Sequence, residues 1–177
     1  RRLAIKVLNA AKFVYGFPLP EGASHVTEPL DVDVLAELGA VEPFPIQAAT
    51  VPAALEGRNV LGRGRTGSGK TIAFSIPLVA RLAEREAAYF RKPGRPMGLV
   101  LAPTRELAMQ VADAISSFAT AIGGLDVIAL YGGSPYGPQE RALARGAQVV
   151  VGTPGRVMDH MKRTNLRLDT IRFAVLD

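Results

Sequence analysis

Residues 64–71 read Gly64-Arg65-Thr66-Gly67-Ser68-Gly69-Lys70-Thr71, the spacing G-x-x-x-x-G-K-[ST] of a phosphate-binding loop. Glycines at such positions let the backbone curl until several N–H groups converge on one anion. A helix starting at Thr71 would add the positive end of its dipole. Lys70 is then placed to reach the β- and γ-phosphates of a nucleotide, and the Thr71 hydroxyl to ligate Mg²⁺. The competing reading is a chance glycine-rich turn; the strand-like stretch before the loop and the helical one after it favour nucleotide binding. At the far end, the apolar run Phe173-Ala174-Val175-Leu176 closes on Asp177, a Walker B pattern in which the carboxylate holds Mg²⁺ through water.

Further groups could bind anions. Arg105 follows Thr104 at a helix start, so a cation, a hydroxyl and helix N–H groups meet there. Thr153 and Arg156 repeat the design, and Gly132-Gly133 permits close approach of a backbone. The plainer alternative for both arginines is a surface ion pair. Glu106 is read as orienting a neighbour. Gln47 carries an amide that could pair with the N6 and N7 edge of adenine, or could simply be a solvated helix residue. His25 and His160 have no metal-ligand cluster around them, and no nucleophile elbow is present.

These residues need elements to hold them. Residues 1–16 carry Arg1, Arg2, Lys6 and Lys12 without an acid and have apolar residues at helical spacing, a basic amphipathic helix read as docking on the domain in preference to a nucleic-acid-binding arm. Gly16, Pro18, Pro20, Gly22 and Pro29 mark a linker over 16–29. Helices follow over 31–38 and 46–55, and Val60-Leu61 reads as the first strand. The phosphate-loop helix is expected to run on toward Arg91, bent near Pro77. Strands are expected over 99–102, 127–130, 148–151 and 173–176. Helices are expected from Thr104, with Leu107, Val111, Ala114, Ile115 and Phe118 as the buried stripe, and over 139–145 and 155–162. Short aliphatic strands alternating with helices predict an α/β fold, a parallel β-sheet with helices on both faces, and ligands at the carboxyl ends of the strands. Each glycine- or proline-marked segment falls at such an end.

The 177 residues suit one domain, and 48% are hydrophobic. With no cysteine, disulfides and thiolate metal sites are excluded. A charge of +5 and a pI near 9.9 suit a polyanionic partner. No apolar run is long enough to span a membrane. Arg1-Arg2-Leu3 superficially suggests a secretory signal, but Lys6 and Lys12 interrupt the segment that should be apolar. The expected location is cytoplasmic. Lacking an initiator Met, the chain is expected to begin inside a longer polypeptide.

Four segments carry a family resemblance: the loop core Thr66-Gly67-Ser68-Gly69-Lys70-Thr71; Pro103-Thr104-Arg105-Glu106-Leu107-Ala108 with Gln110; Gly132-Gly133 followed by Thr153-Pro154-Gly155-Arg156; and Gly39-x-x-x-Pro43-x-x-Ile46-Gln47. Over about residues 30–177 the chain resembles the first RecA-like domain of a DEAD-box ATP-dependent RNA helicase. The resemblance implies a RecA-like P-loop fold over 30–177, with 1–29 as a basic helix and linker. It implies ATP and Mg²⁺, with Lys70, Thr71 and Asp177 catalytic, and residues 64–71 with Gln47, the latter in an adenine-reading Q motif, as the nucleotide site. Single-stranded or short duplex RNA would be gripped by Pro103, Thr104, Arg105, Gly132, Gly133, Thr153, Pro154, Gly155 and Arg156, largely independently of sequence. A second RecA-like domain of the same polypeptide would complete the cleft. It also implies a Glu after Asp177 to position the attacking water, so that this stretch alone binds nucleotide weakly and hydrolyses almost none.

Some positions depart from the family pattern. Gly22 stands where an aromatic residue usually stacks on adenine, with Phe17 before it and His25 after it. Phe44 replaces a small hydroxyl residue and could pack near the base. Gly64 replaces a typical Ala, a change expected to be harmless. Two other functions compete: a DNA-directed helicase or translocase of the same superfamily, and a non-enzymatic nucleotide-dependent clamp or assembly factor.

Overall fold

The structure, a computed structural model, describes residues 44–84, 91–121 and 124–177. The expected helices over 1–16 and 31–38 and the linker between them lie outside these residues. The described elements are α1 (Pro45–Leu55), α2 (Lys70–Glu84), β1 (Gly98–Leu101), α3 (Arg105–Ala121), β2 (Val127–Leu130), α4 (Tyr136–Ala144), β3 (Val149–Gly152), α5 (Pro154–Lys162) and β4 (Phe173–Leu176).

Four parallel strands pair in the order β2-β3-β1-β4. The run Val149-Val150-Val151 occupies an inner strand buried on both faces, which is why it is aliphatic without alternation. Val100, Val149 and Val151 point to one side, into a core built with Leu78, Val79 and Leu82 of α2 and Val111, Ile115 and Phe118 of α3. Leu99 and Val150 point to the other, against Leu143 of α4 and Val157 of α5. Helices therefore cover both faces, as the sequence pattern predicts.

The register aligns the strand ends. Leu101 pairs with Gly152 and with Leu176, and Leu130 pairs with Gly152, so all four strands finish in one row. The segments containing Arg105, Gly132, Thr153 and Asp177 all leave from that row.

Several boundaries differ from expectation by a residue or so, and α4 begins three residues before Gln139. The larger correction concerns Val60-Leu61, which is no strand. It pairs with none of the four strands, and Leu61 is 101% exposed. Two apolar residues between Asn59 and Gly62 bury too little surface to hold a ladder on their own. α2 runs through Pro77 from Lys70 to Glu84, and its expected continuation over 85–90 toward Arg91 lies outside the described residues.

Candidate nucleotide and nucleic-acid site

The phosphate loop joins the exposed 58–62 segment to α2. Gly67 and Gly69 have φ of +79° and +80°, a region that costs a residue with a Cβ about 1–2 kcal/mol. Gly69 is needed for a second reason. A Cβ there would fall on Gln47 Nε2 and lie 2.9 Å from Phe44 Cδ2, whereas one at Gly67 would meet nothing within 4 Å.

That crowding comes from α1. Pro45 opens the helix, and Gln47 in its first turn reaches back, so that the Phe44 N–H donates to Gln47 Oε1 at 3.0 Å. Gln47 Nε2 donates to Gly69 O at 3.1 Å. The side chain is 0% exposed, so the solvated alternative for Gln47 does not hold. Its amide pins the start of α1 to the phosphate loop, with one amide hydrogen and one lone pair of Oε1 left over. At the other end of α1, Arg81 donates to Leu55 O at 3.0 Å, fastening the helix to α2.

The loop's own polar atoms fit a phosphate. Lys70 Nζ donates to Gly64 O and Arg65 O, each at 2.8 Å, so the ammonium already sits in the mouth of the loop. Ser68 Oγ is buried without a hydrogen-bond partner. An orphaned hydroxyl beside an ammonium held only by carbonyls is a site prepared for an incoming oxyanion. Gly64 makes room for this serine: a Cβ at that position would come 2.5 Å from Ser68 Oγ. Lys70 and Asp177 line one cavity of about 450 Å³, with Ile46, Gly62 and Arg172 also in its wall. Among the described residues no group of three His, Cys, Asp or Glu could hold a metal.

On the same edge of the sheet the other segments meet. Thr104 Oγ1 accepts from the Leu107 N–H at 3.2 Å and caps α3. Arg105 is exposed and lies 4.9 Å from the centre of the Tyr131 ring, just before the Gly132-Gly133 turn. Thr153 is the extended residue ahead of α5, Pro154 opens that helix, and both Pro154 and Gly155 are exposed.

Arg156, read from the sequence as an RNA contact, is turned into the protein. It is 8% exposed and donates to Ser134 O at 2.9 Å and to Gln139 Oε1 at 3.2 Å. His160, on α5 among polar neighbours in the sequence, is 0% exposed. Burial first, and then the charge of Arg156, push its pKa below the ordinary histidine value. Sequence reasoning passed over Ser134, Tyr136 and Gln139. Their spacing matches no motif, because they meet only when α4 packs beside α5.

A family model described as DEAD/DEAH box helicase matches residues 44–177. The chain is 52% identical over 149 residues to the ATP-dependent RNA helicase DeaD of Buchnera aphidicola subsp. Schizaphis graminum, covering 84% of this chain and 24% of that protein. It is 51% identical over 146 residues to the protein of the same name from Escherichia coli K12, covering 82% and 22%. The chain thus spans about a quarter of the length of the curated relatives it matches. Among solved structures, the RNA helicase Prp28 from Chaetomium thermophilum bound to ADP superposes with a TM-score of 0.73 at 38% identity, over 82% of this chain and 35% of that one. A hypothetical ATP-dependent RNA helicase from Sulfolobus tokodaii superposes with a TM-score of 0.69 at 34% identity, over 82% and 40%. With its phosphate loop, its level row of strand ends and relatives half identical to it, the chain belongs to the DEAD/DEAH box helicase family.

Proposed function

We propose that this chain is the nucleotide- and RNA-binding first RecA-like domain of an ATP-dependent RNA helicase, which separates short duplexes when it closes against a second RecA-like domain of the same polypeptide. The observation that carries this reading is the row of strand ends. One edge of one sheet presents Asp177 beside the phosphate loop and, further along, Arg105, Gly132-Gly133 and Thr153–Gly155.

The residues divide the work. Loop N–H groups of 65–71, the Ser68 hydroxyl and the Lys70 ammonium hold the β- and γ-phosphates of ATP. Thr71 and Asp177 hold Mg²⁺, Asp177 through water; the ion when bound neutralises phosphate charge. Gln47, buried as it is, holds the loop, and reading an adenine edge would require its amide to become accessible when the nucleotide enters. Arg105, the turn at 132–133 and the N–H groups opening α5 hold the RNA backbone, so binding is salt-sensitive and little dependent on sequence. By linkage, RNA tightens nucleotide binding by the factor by which nucleotide tightens RNA binding. The expected site of action is the cytoplasm.

The test is ATP hydrolysis by the full-length protein with single-stranded RNA, with single-stranded DNA, or with neither. Stimulation by RNA alone, abolished in Lys70→Ala, is expected. Equal stimulation by DNA would refute the RNA assignment, and tight nucleotide binding without turnover would refute the enzymatic one.

A further inference from the structure

Beneath the Gly132-Gly133 turn lies a polar cluster centred on Gln139 of α4, itself buried. Gln139 Nε2 donates to Tyr131 O and to Ser134 Oγ, each at 3.2 Å. Gln139 Oε1 accepts from Arg156 Nη1 at 3.2 Å and lies 3.0 Å from His160 Nε2. The Arg156 donor fixes the amide's orientation, since the flipped amide would set N–H against N–H and oxygen against the Tyr131 carbonyl. An amide oxygen only accepts, so His160 is the Nε2–H tautomer, leaving Nδ1 buried without a partner.

Around this hub a second set of contacts closes. The Arg156 and Arg163 guanidinium carbons lie 4.0 and 3.9 Å from the Tyr136 ring centre. Both guanidinium groups thus rest against the ring's π-system, which joins Arg156 and Arg163 to the cluster. The Tyr136 hydroxyl donates to Asp159 at 3.1 Å, and His160 meets the ring edge-on at 5.4 Å.

The donors of Gln139 hold the loop after β2, and its acceptor holds the helix after β3. Arg156 ties the same two together by its own bond to Ser134 O. Both segments leave the same end of the sheet, and a sugar-phosphate backbone offers its phosphates at a set spacing. Two short segments hold successive phosphates more tightly when their separation is fixed before binding, because no ordering cost is then left to binding.

We propose that Gln139 is a positioning residue for RNA: its buried amide locks the Gly132-Gly133 turn to the Thr153–Arg156 helix start, so that the two act as one rigid phosphate-holding unit. Arg156 then serves from inside, as the strut between them. This inference rests on the RNA-binding reading of the two segments.

The test uses the full-length protein, a fluorescent single-stranded RNA oligomer and a fluorescent ADP analogue, with RNA affinity measured across a salt series. Wild-type protein that fails to bind RNA refutes the RNA reading and this proposal with it. Given wild-type binding, Gln139→Leu is expected to weaken RNA affinity about tenfold or more and ADP affinity less than about twofold. It should also lower the slope of log K against log salt by about 0.7, the loss of one phosphate contact on a single strand. A role confined to stability would leave that slope unchanged. Gln139→Glu covers the case in which the Leu variant melts early. It keeps the size and the acceptor for Arg156 and His160 but loses the donor to Tyr131 O, and is expected to show the same reduced slope. Wild-type RNA affinity and slope in Gln139→Glu would overturn the proposal, as would ADP and RNA affinities that fall together.

Discussion

Gly67 and Gly69 share a backbone conformation but not surroundings, and alanine at each should separate strain from collision. At Gly67 the cost is the left-handed φ alone, about 1 kcal/mol, because a Cβ there meets nothing within 4 Å. At Gly69 the same strain recurs and a Cβ lands on the buried Gln47 amide. Moving that amide breaks the Nε2 bond to Gly69 O and leaves a buried donor unpaired, a further cost of about 1–3 kcal/mol. The loop can escape by leaving its phosphate-binding shape, so the cost appears as a smaller competent population and weaker apparent nucleotide affinity. At 1.4 kcal/mol per decade, Gly67→Ala should weaken ADP binding roughly fivefold and Gly69→Ala roughly a hundredfold. Titration of a fluorescent ADP analogue measures both, and thermal unfolding checks that the variants remain folded. Equal losses at the two positions would show that Gln47 does not brace the loop, and the account of its burial would fail.

Other outcomes follow from the packing. Gly152→Ala would put a Cβ 2.6 Å from Val157 Cγ2 and 2.8 Å from Leu130 O, and should cost about 1–3 kcal/mol in denaturant unfolding, since that carbonyl accepts from the Thr153 N–H and cannot step aside without losing the bond. Ile115→Ala, which opens a cavity where α3 meets the sheet, should cost about 2–5 kcal/mol in the same assay. Arg105→Ala should weaken RNA binding and reduce the salt slope by about 0.7 while leaving ADP affinity unchanged. His160 should give an acid limb to stability. Burial and Arg156 depress its pKa, with Arg163 in the same sense and Glu140 and Asp159 opposing. The unfolded chain therefore binds the proton first, and the contribution of this group, complete above the ordinary value of 6.5, is lost as pH falls from there through the depressed folded value. Thermal midpoints should fall over that range, and His160→Phe should flatten the fall; an equally steep fall in the variant would exclude His160 as its source.

The chemistry-bearing segments were legible because each is local. The phosphate loop, the Thr104 cap of α3 and the Thr153-Pro154 opening of α5 are set by neighbours a few residues away, through turn geometry and helix-end hydrogen bonds. The parallel sheet was legible too, because strands buried on both faces must be continuously aliphatic, as Val149-Val150-Val151 are. Val60-Leu61 misled because two apolar residues look the same whether or not a neighbouring backbone is there to pair with them.

What the amino-acid order determined alone was the alternation of four aliphatic strands with helices over residues 98–176 and the glycine-bearing turns at their ends. Tertiary structure decided where long side chains spend their polar atoms. Gln47 is committed to Gly69 O across 22 residues, and Arg156 is aimed inward at Ser134 and Gln139 instead of outward at a ligand. The physical reason is desolvation. A buried amide or guanidinium must find partners wherever the fold brings them, and those partners belong to other elements, which spacing along the chain does not reveal.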